Sequence, residues 1–89
     1  MFRVLRSTNG EILFSVCGRV GNEQIDELER IIRLEEGSRP LALDLRDVTL
    51  VSNEAVEFFL RCEKDGIALR GCPGFIREWI SRQQKNATG

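Results

Sequence analysis

The chain has 89 residues, with 13 basic and 14 acidic side chains and a formal net charge of -1. Its 42% hydrophobic and 30% charged residues are typical of one globular domain and exclude an intrinsically disordered chain. The balanced charge argues against nucleic acid as a partner. No run approaches the roughly 18 apolar residues of a membrane-spanning helix, and we expect no signal peptide.

Histidine is absent from the sequence. Its absence removes the commonest general base, the usual partner of a serine or cysteine nucleophile, and the histidine-containing zinc sites. The cysteines, Cys17, Cys62 and Cys72, are odd in number and form no Cys-x-x-Cys pair, which favours reduced thiols over a disulfide framework. We therefore expect a cytoplasmic, non-catalytic protein with no cofactor and no metal site.

The chain begins with a predicted β-hairpin. Residues 2–7 and 11–19 alternate between apolar and polar side chains, as half-buried strands do. Asn9-Gly10 between them is a strong signal for a tight antiparallel turn. In the second strand, one face carries Ile12, Phe14, Val16 and Gly18.

A first helix is predicted after Gly21, with Asn22 as its N-cap and Gly37 beyond its end. We expect Asp26 and Arg30, four residues apart, to form an ion pair on its surface. Its apolar stripe has helical spacing and consists of Ile25, Leu28, Ile31 and Ile32, with Leu34 as a further candidate.

A third strand is predicted at 41–45, followed by an extended connection at 46–52 and a second helix at about 53–64. On the strand, one face carries Leu41, Leu43 and Leu45, and the other carries Ala42 and Asp44. On the helix, the inner face carries Ala55, Val56, Phe59 and Leu60, bordered by Phe58 and Cys62.

A short fourth strand is predicted at 67–70 and a last helix at roughly 74–84. The helix repeats apolar residues at core spacing, namely Phe75, Ile76, Trp79 and Ile80. We assign residues 1–83 to one domain and residues 84–89 to a flexible carboxyl-terminal tail.

The order of elements, ββαβαβα, predicts an α/β fold. The hairpin is antiparallel, and the two βαβ crossovers are expected to be parallel and right-handed. Parallel strands covered on both faces read as continuous apolar runs, whereas Asp44 and Arg70 interrupt the third and fourth strands. We therefore predict a single domain with a four-stranded mixed sheet in the order 1-2-3-4 and helices mainly on one face.

Residues 43–56, Leu-Asp-Leu-Arg-Asp-Val-Thr-Leu-Val-Ser-Asn-Glu-Ala-Val, resemble the signature of STAS domains, the anti-sigma factor antagonist fold. Gly18 and the segment 65–69 are similar to that family's glycine and Gly-x-x-Leu strand. The resemblance covers roughly residues 2–82. It implies a non-catalytic module of bacterial signalling and transcription regulation that docks on an anti-sigma factor, itself a serine kinase. In that family, phosphorylation of a serine at the second helix breaks the complex, because a phosphate adds about -1.5 to -2 charges.

The sequence departs from the family at the phosphorylation site. Matched residue by residue, the family's Asp falls on Ser52, its phosphoacceptor Ser on Asn53, the following Ser or Thr on Glu54, and its Gly on Ala55. Asn53 cannot be phosphorylated, so we expect partner binding to be insensitive to the usual switch. Ser52 is interpreted as the N-cap of the second helix, with a displaced phosphoacceptor as the alternative.

The partner-binding surface is expected around the start of the second helix, at Val48, Val51, Ser52, Asn53, Glu54 and Glu57. The partner implied by the resemblance is an anti-sigma factor of the serine-kinase type. Two other functions stay open: a small-ligand or nucleotide sensor, and a homo-oligomeric structural module that pairs through the edge of the fourth strand. Cys72, before the last helix, is interpreted as a small residue at a turn rather than a reactive thiol.

Overall fold

Seven elements follow the chain in the predicted order. The computed structural model describes residues 2–8, 10–35, 37 and 40–88, with the backbone alone at 83–88. The elements are β1 (Phe2–Thr8), β2 (Ile12–Val20), α1 (Asn22–Leu34), β3 (Leu41–Val51), α2 (Asn53–Lys64), β4 (Ala68–Arg70) and α3 (Gly74–Thr88). Asn9, half of the predicted turn signal, lies outside the described residues.

The strands form one sheet in the order β1-β2-β3-β4. β1 pairs with β2 in the antiparallel sense, and β3 is parallel to both β2 and β4. The predicted α/β class, strand order and mixed sheet are therefore confirmed.

The core lies between one face of this sheet and the helices. In β2, Ile12, Phe14 and Val16 are at most 2% exposed, whereas the residues between them are half-exposed. All three helices contribute buried side chains to the same cluster. These are Ile25, Leu28 and Ile32 from α1, Val56 and Phe59 from α2, and Ile76 and Ile80 from α3. Each large apolar side chain buried in this way contributes about 1.5–3 kcal/mol. The other face of the sheet has no comparable cluster among the described residues, as the alternation predicted.

β3 is longer than predicted, because it continues through residues 46–51. The pairing with β2 shifts twice, between Ser15 and Cys17 and between Gly18 and Arg19, and each shift leaves one extra residue on β3. Buried positions in this half of β3 are three apart, at Leu45, Val48 and Val51. The segment therefore lacks the alternation of two that identifies a strand in a sequence.

Gly18 makes these shifts possible on the β2 side. It pairs with Val48 between the two irregularities and has a φ of +92°. A side chain at that φ would place Cβ against its own backbone, so glycine is the residue that this position favours.

α1 differs from the prediction at two positions. Its N-cap is Gly21, and Asn22 is already the first helical residue. The Gly21 N–H donates a hydrogen bond to the Gln24 Oε1 at 3.0 Å. The side chain of a residue in the first turn therefore provides the acceptor for the backbone N–H of the N-cap residue. Arg30 pairs with Glu27, one turn earlier on the helix, rather than with Asp26.

α3 begins at Gly74 as predicted, but it differs from the prediction in its length and in the exposure of Phe75. It continues to Thr88, so residues 85–88 of the predicted tail are helical, and Gly89 lies outside the described residues. Residues 75–88 contain no glycine or proline that would stop a helix. Phe75, expected in the core, is 46% exposed, because Ile76 and Ile80 occupy the inward positions.

None of the helices in the described part of the chain is both long enough and apolar enough to span a lipid bilayer.

The positive φ of Gly18 leads to a stability prediction. Gly18→Ala should lower the free energy of unfolding by about 1–2 kcal/mol, the cost of a left-handed backbone for a residue with a Cβ. Gly74→Ala is the matched control, since Gly74 has no positive φ and its added Cβ would meet no atom within 4 Å. Urea unfolding measures both variants, and equal midpoints would contradict the backbone requirement at Gly18.

Candidate functional site

The start of α2 is fixed to the sheet through Ser52, the residue after β3. The Ser52 N–H donates to the Val20 carbonyl oxygen at 3.0 Å, and the Val56 N–H donates to the Ser52 carbonyl oxygen at 3.1 Å. The Ser52 Oγ accepts a hydrogen bond from the Ala55 N–H at 3.1 Å. The predicted role of Ser52 as the N-cap is therefore confirmed, and its backbone is held at the same time.

Val48 and Val51 do not form part of a contact surface, which corrects the prediction. Their exposed fractions are 4% and 7%, and both belong to the hydrophobic core. The shifted register of β3 turns Val48 inward, whereas Val51 lies on the inward side under strict alternation from Leu45 as well. Residues between them face outward, and Leu50 is 52% exposed.

Three predicted residues of α2, Asn53, Glu54 and Glu57, are exposed, and Ser52 is half-exposed. Thr49 and Leu50 are exposed at the end of β3, just before them. We call this set, Thr49, Leu50, Ser52, Asn53, Glu54 and Glu57, the junction surface. Sequence reasoning missed Thr49 and Leu50, because it treated residues 46–52 as a connection rather than as part of β3, and the outward position of Thr49 also depends on the two register shifts.

The junction surface is acidic where α2 approaches α1. Glu54 and Glu57 line a shallow groove that Asp26 of α1 also borders. Arg61, one turn after Glu57, supplies the positive charge on the same groove. Glu54 lies in the first turn of α2, where the helix dipole stabilises a negative charge. A partner that covers this groove therefore needs basic side chains.

The fourth strand is an edge of the sheet, as predicted, but it has only three residues. Its last residue, Arg70, pairs with Glu11 at 2.7 Å across the sheet. The hydrogen bond and the charge of Glu11 raise the pKa of the Arg70 guanidinium. A short edge strand that ends in a charged pair presents few free backbone groups to another strand.

Acidic and thiol side chains do not converge on a metal site in the part of the chain that the structure describes. The Asp44 Oδ1 instead accepts a hydrogen bond from the Arg46 N–H at 3.0 Å. A carboxylate used in this way organises the local backbone of β3.

The cysteine side chains occupy three different environments. Cys62 is buried in α2, and burial, with smaller effects of nearby charges, raises the pKa of its thiol to about 12. Partial burial also raises the pKa of Cys72, which favours the interpretation as a turn residue over a reactive thiol. Cys17 lies on the open face of the sheet, with its Sγ 4.0 Å from the Asp47 Oδ2.

A search of the solved structures finds similarity to an uncharacterized protein of the DUF3478 family from Shewanella loihica, described as having a SpoIIAA-like fold. The TM-score is 0.51 and the sequence identity 17%, over 98% of this chain and 78% of that chain. At this identity the likeness establishes the fold alone, so the chain has the SpoIIAA-like architecture that the resemblance to STAS domains predicted. A scan against protein-family models finds no match, and a search of the curated proteins finds no significant match.

The N-cap geometry predicts the effect of removing the Ser52 hydroxyl. Ser52→Ala should lower the free energy of unfolding by about 1 kcal/mol, because the Ala55 N–H loses its acceptor, whereas Ser52→Asp keeps a cap. Ser81→Ala, on the exposed surface of α3, is the control and should change stability by less than about 0.5 kcal/mol. Denaturant unfolding that finds Ser52→Ala as stable as the wild type would refute the cap.

The environment of Cys62 predicts slow thiol modification. At pH 8.5 a thiol with a pKa of about 12 is ionised on the order of once in a few thousand molecules, so iodoacetamide should label Cys62 last. Mass spectrometry of the labelled peptides measures the order, and labelling in urea provides the unfolded control. Native labelling of Cys62 at the rate of Cys17 would contradict its burial.

The same shift has a consequence for stability at high pH. An unfolded cysteine ionises near its ordinary pKa of 9.0, whereas the folded thiol keeps its proton until about 12. The unfolded chain therefore binds fewer protons above pH 9, and the free energy of unfolding should fall as the pH rises from 9 towards 12.

Proposed function

We propose that this domain is a non-catalytic protein-interaction module of bacterial signalling that binds a protein partner through the junction surface. The observation that carries the proposal is the exposed Leu50, two positions before Ser52, which caps α2 and is held to the sheet, while the first turn of α2 carries Glu54. An exposed apolar residue close in the chain to exposed acidic residues, on a fixed backbone, supports a contact surface between proteins.

The chemistry of the surface limits the kind of partner. Glu54 and Glu57 favour a basic rim on the partner, and Leu50 favours an apolar pocket within it. By resemblance to STAS domains, the partner is an anti-sigma factor of the serine-kinase type. The SpoIIAA-like fold is compatible with that partner and supports it at the level of the architecture.

Asn53 makes this interaction independent of the usual phosphorylation. A side-chain amide has no hydroxyl group to accept a phosphoryl group, so a kinase bound at the junction surface cannot use this position as its substrate. The neighbouring Ser52 is the alternative acceptor, and its Oγ is engaged in the cap of α2. We therefore propose that the complex persists when ATP is present.

A homodimer through the edge of β4 is the second proposal, and the structure gives it less support. β4 supplies three residues, and Arg70 at its end is paired with Glu11. β1, the other edge strand, has seven residues and carries Arg3 and Arg6, of which Arg6 is paired with Glu35 at 2.8 Å. Charged side chains on an edge strand disfavour its pairing with another strand.

Charge reversal tests the junction surface. Glu54→Lys and Glu57→Lys should each weaken capture of the partner from the lysate of the native cell by about tenfold, because they place positive charge opposite a basic rim. Affinity capture with mass spectrometry identifies the partner, and titration of the purified pair gives the dissociation constants.

Glu78→Lys is the matched control, since it makes the same change of charge on the exposed surface of α3. It loses only the surface pair with Arg82, worth about 0.5 kcal/mol or less, so it should bind like the wild type. Equal binding by all three variants would refute the junction surface. Loss of the complex on addition of ATP would refute its independence from phosphorylation.

A further inference from the structure

A cavity of about 420 Å³ lies between the last turns of α1 and α2 and the beginnings of β3 and β4. We call it the helix-end cavity and define it by Glu29, Ile32, Arg33, Phe58, Arg61 and Cys62, among the residues that line it. Its volume falls in the range of about 300–1,000 Å³ that is usual for small-molecule sites. It lies toward the carboxyl ends of α1 and α2, whereas the junction surface lies at the start of α2.

The floor of the helix-end cavity is apolar. Ile32, Phe58 and Cys62 are between 5% and 9% exposed, and half-buried Leu41 and Ile67 extend the same lining. Cys62 keeps its proton at neutral pH and therefore adds apolar surface rather than a charge or a nucleophile. The floor suits the hydrocarbon or aromatic part of a ligand.

The rim of the cavity contains two arginines that share one carboxylate. The Arg33 Nη2 lies 3.8 Å from Glu29 Oε2, and the Arg61 Nη2 lies 4.0 Å from Glu29 Oε1. Charge-assisted hydrogen bonds are about 2.7–2.9 Å long, so Glu29 is not close enough to form one with either group. Other pairs in the molecule do reach that range, such as Arg82 with Glu78 at 2.9 Å.

Both guanidinium groups are accessible from the solvent. The side chains of Arg33 and Arg61 are 75% and 66% exposed. The Arg61 Cζ lies 5.9 Å from the centre of the Phe58 ring, a cation–π distance that keeps this charge beside the apolar floor. A carboxylate at the rim can therefore accept hydrogen bonds from two guanidinium groups while its apolar part covers Phe58.

The acidic groups on the rim narrow the class of ligand. Among the described residues that line the cavity, Glu29 and Asp65 balance the two arginines, so these side chains have no net positive charge to attract a polyanion. A nucleoside triphosphate or a similar polyphosphate is therefore disfavoured. A ligand with a single negative charge can replace Glu29 at the guanidinium groups, provided that it also gains free energy from the apolar floor.

We propose that the helix-end cavity binds a small amphipathic carboxylate, with the carboxylate at Arg33 and Arg61 and the apolar part against Ile32, Phe58 and Cys62. This site goes beyond the proposed protein interaction and does not depend on it.

Octanoate is the probe, and nuclear magnetic resonance of the ¹⁵N-labelled protein is the measurement. The amide signals of Gly37 and Gly66, which line the cavity, should shift and saturate as octanoate is added. The amide of Gly18, on the sheet, should not shift and serves as the internal control. Octylamine and octanol should bind at least about tenfold more weakly, since octylamine is a cation without an acceptor and the neutral hydroxyl of octanol forms no ion pair with arginine.

Three variants test the roles of the rim residues. Arg33→Gln and Arg61→Gln should each weaken octanoate binding by about tenfold, whereas Arg30→Gln, on the exposed surface of α1, should not change it. Glu29→Gln should strengthen binding, because it removes the carboxylate that competes with the ligand. A gain of affinity cannot arise from unfolding, so this variant remains informative if either arginine variant proves unstable.

The proposal is overturned by any of three results. The first is the absence of a saturable shift at Gly37 and Gly66. The second is equal binding of octanoate, octanol and octylamine, which would indicate an apolar patch without selectivity for an anion. The third is wild-type affinity in both Arg33→Gln and Arg61→Gln.

Discussion

The register of β3 against β2 is the constraint on which the rest of the structure depends. Two extra residues on β3 space its inward side chains three apart, so that Leu45, Val48 and Val51 all reach the core. Without these shifts, strict alternation after Leu45 would turn Val48 outward. Gly18 accommodates the change with a backbone conformation that other residues adopt only at a cost. The inward position of Val48 and the outward position of Thr49 are thus two results of one irregular strand pairing.

The overall topology could be predicted from the sequence because it depends on local patterns. Alternation in β2, the helical spacing of apolar residues in α1 and α2, and Asp44 and Arg70 within the later strands are each visible over a few residues. The SpoIIAA-like architecture follows from the same patterns and agrees with the structural comparison. The length of β3 was not predictable in this way, since residues 46–51 pair with β2 in a register that only the folded sheet defines.

Some residues of the candidate sites were likewise predictable from local sequence patterns, whereas others depend on the tertiary structure. Ser52 was predictable as a cap, because a serine before a helix with an apolar stripe is a local signal. Val48 and Val51 were assigned to the surface because a connection was expected there, and the outward residues proved to be their neighbours Thr49 and Leu50. The helix-end cavity has no sequence signal, since Arg33 and Arg61 are 28 positions apart and come together only where α1 and α2 pack. Sites formed by the packing of elements require the tertiary structure.

One backbone hydrogen bond links the starts of two helices. The Ser52 N–H donates to Val20, and Val20 directly precedes Gly21, the cap of α1. The first turns of α1 and α2 are therefore fastened to one point at the end of β2, although Gly21 and Ser52 are 31 positions apart along the chain. A partner that covers this point meets a preorganised surface. Binding therefore costs little conformational entropy, because the backbone of this surface is already ordered. Affinity at such a surface depends on the side chains presented, and can be tuned by exchanging them while the fold remains unchanged.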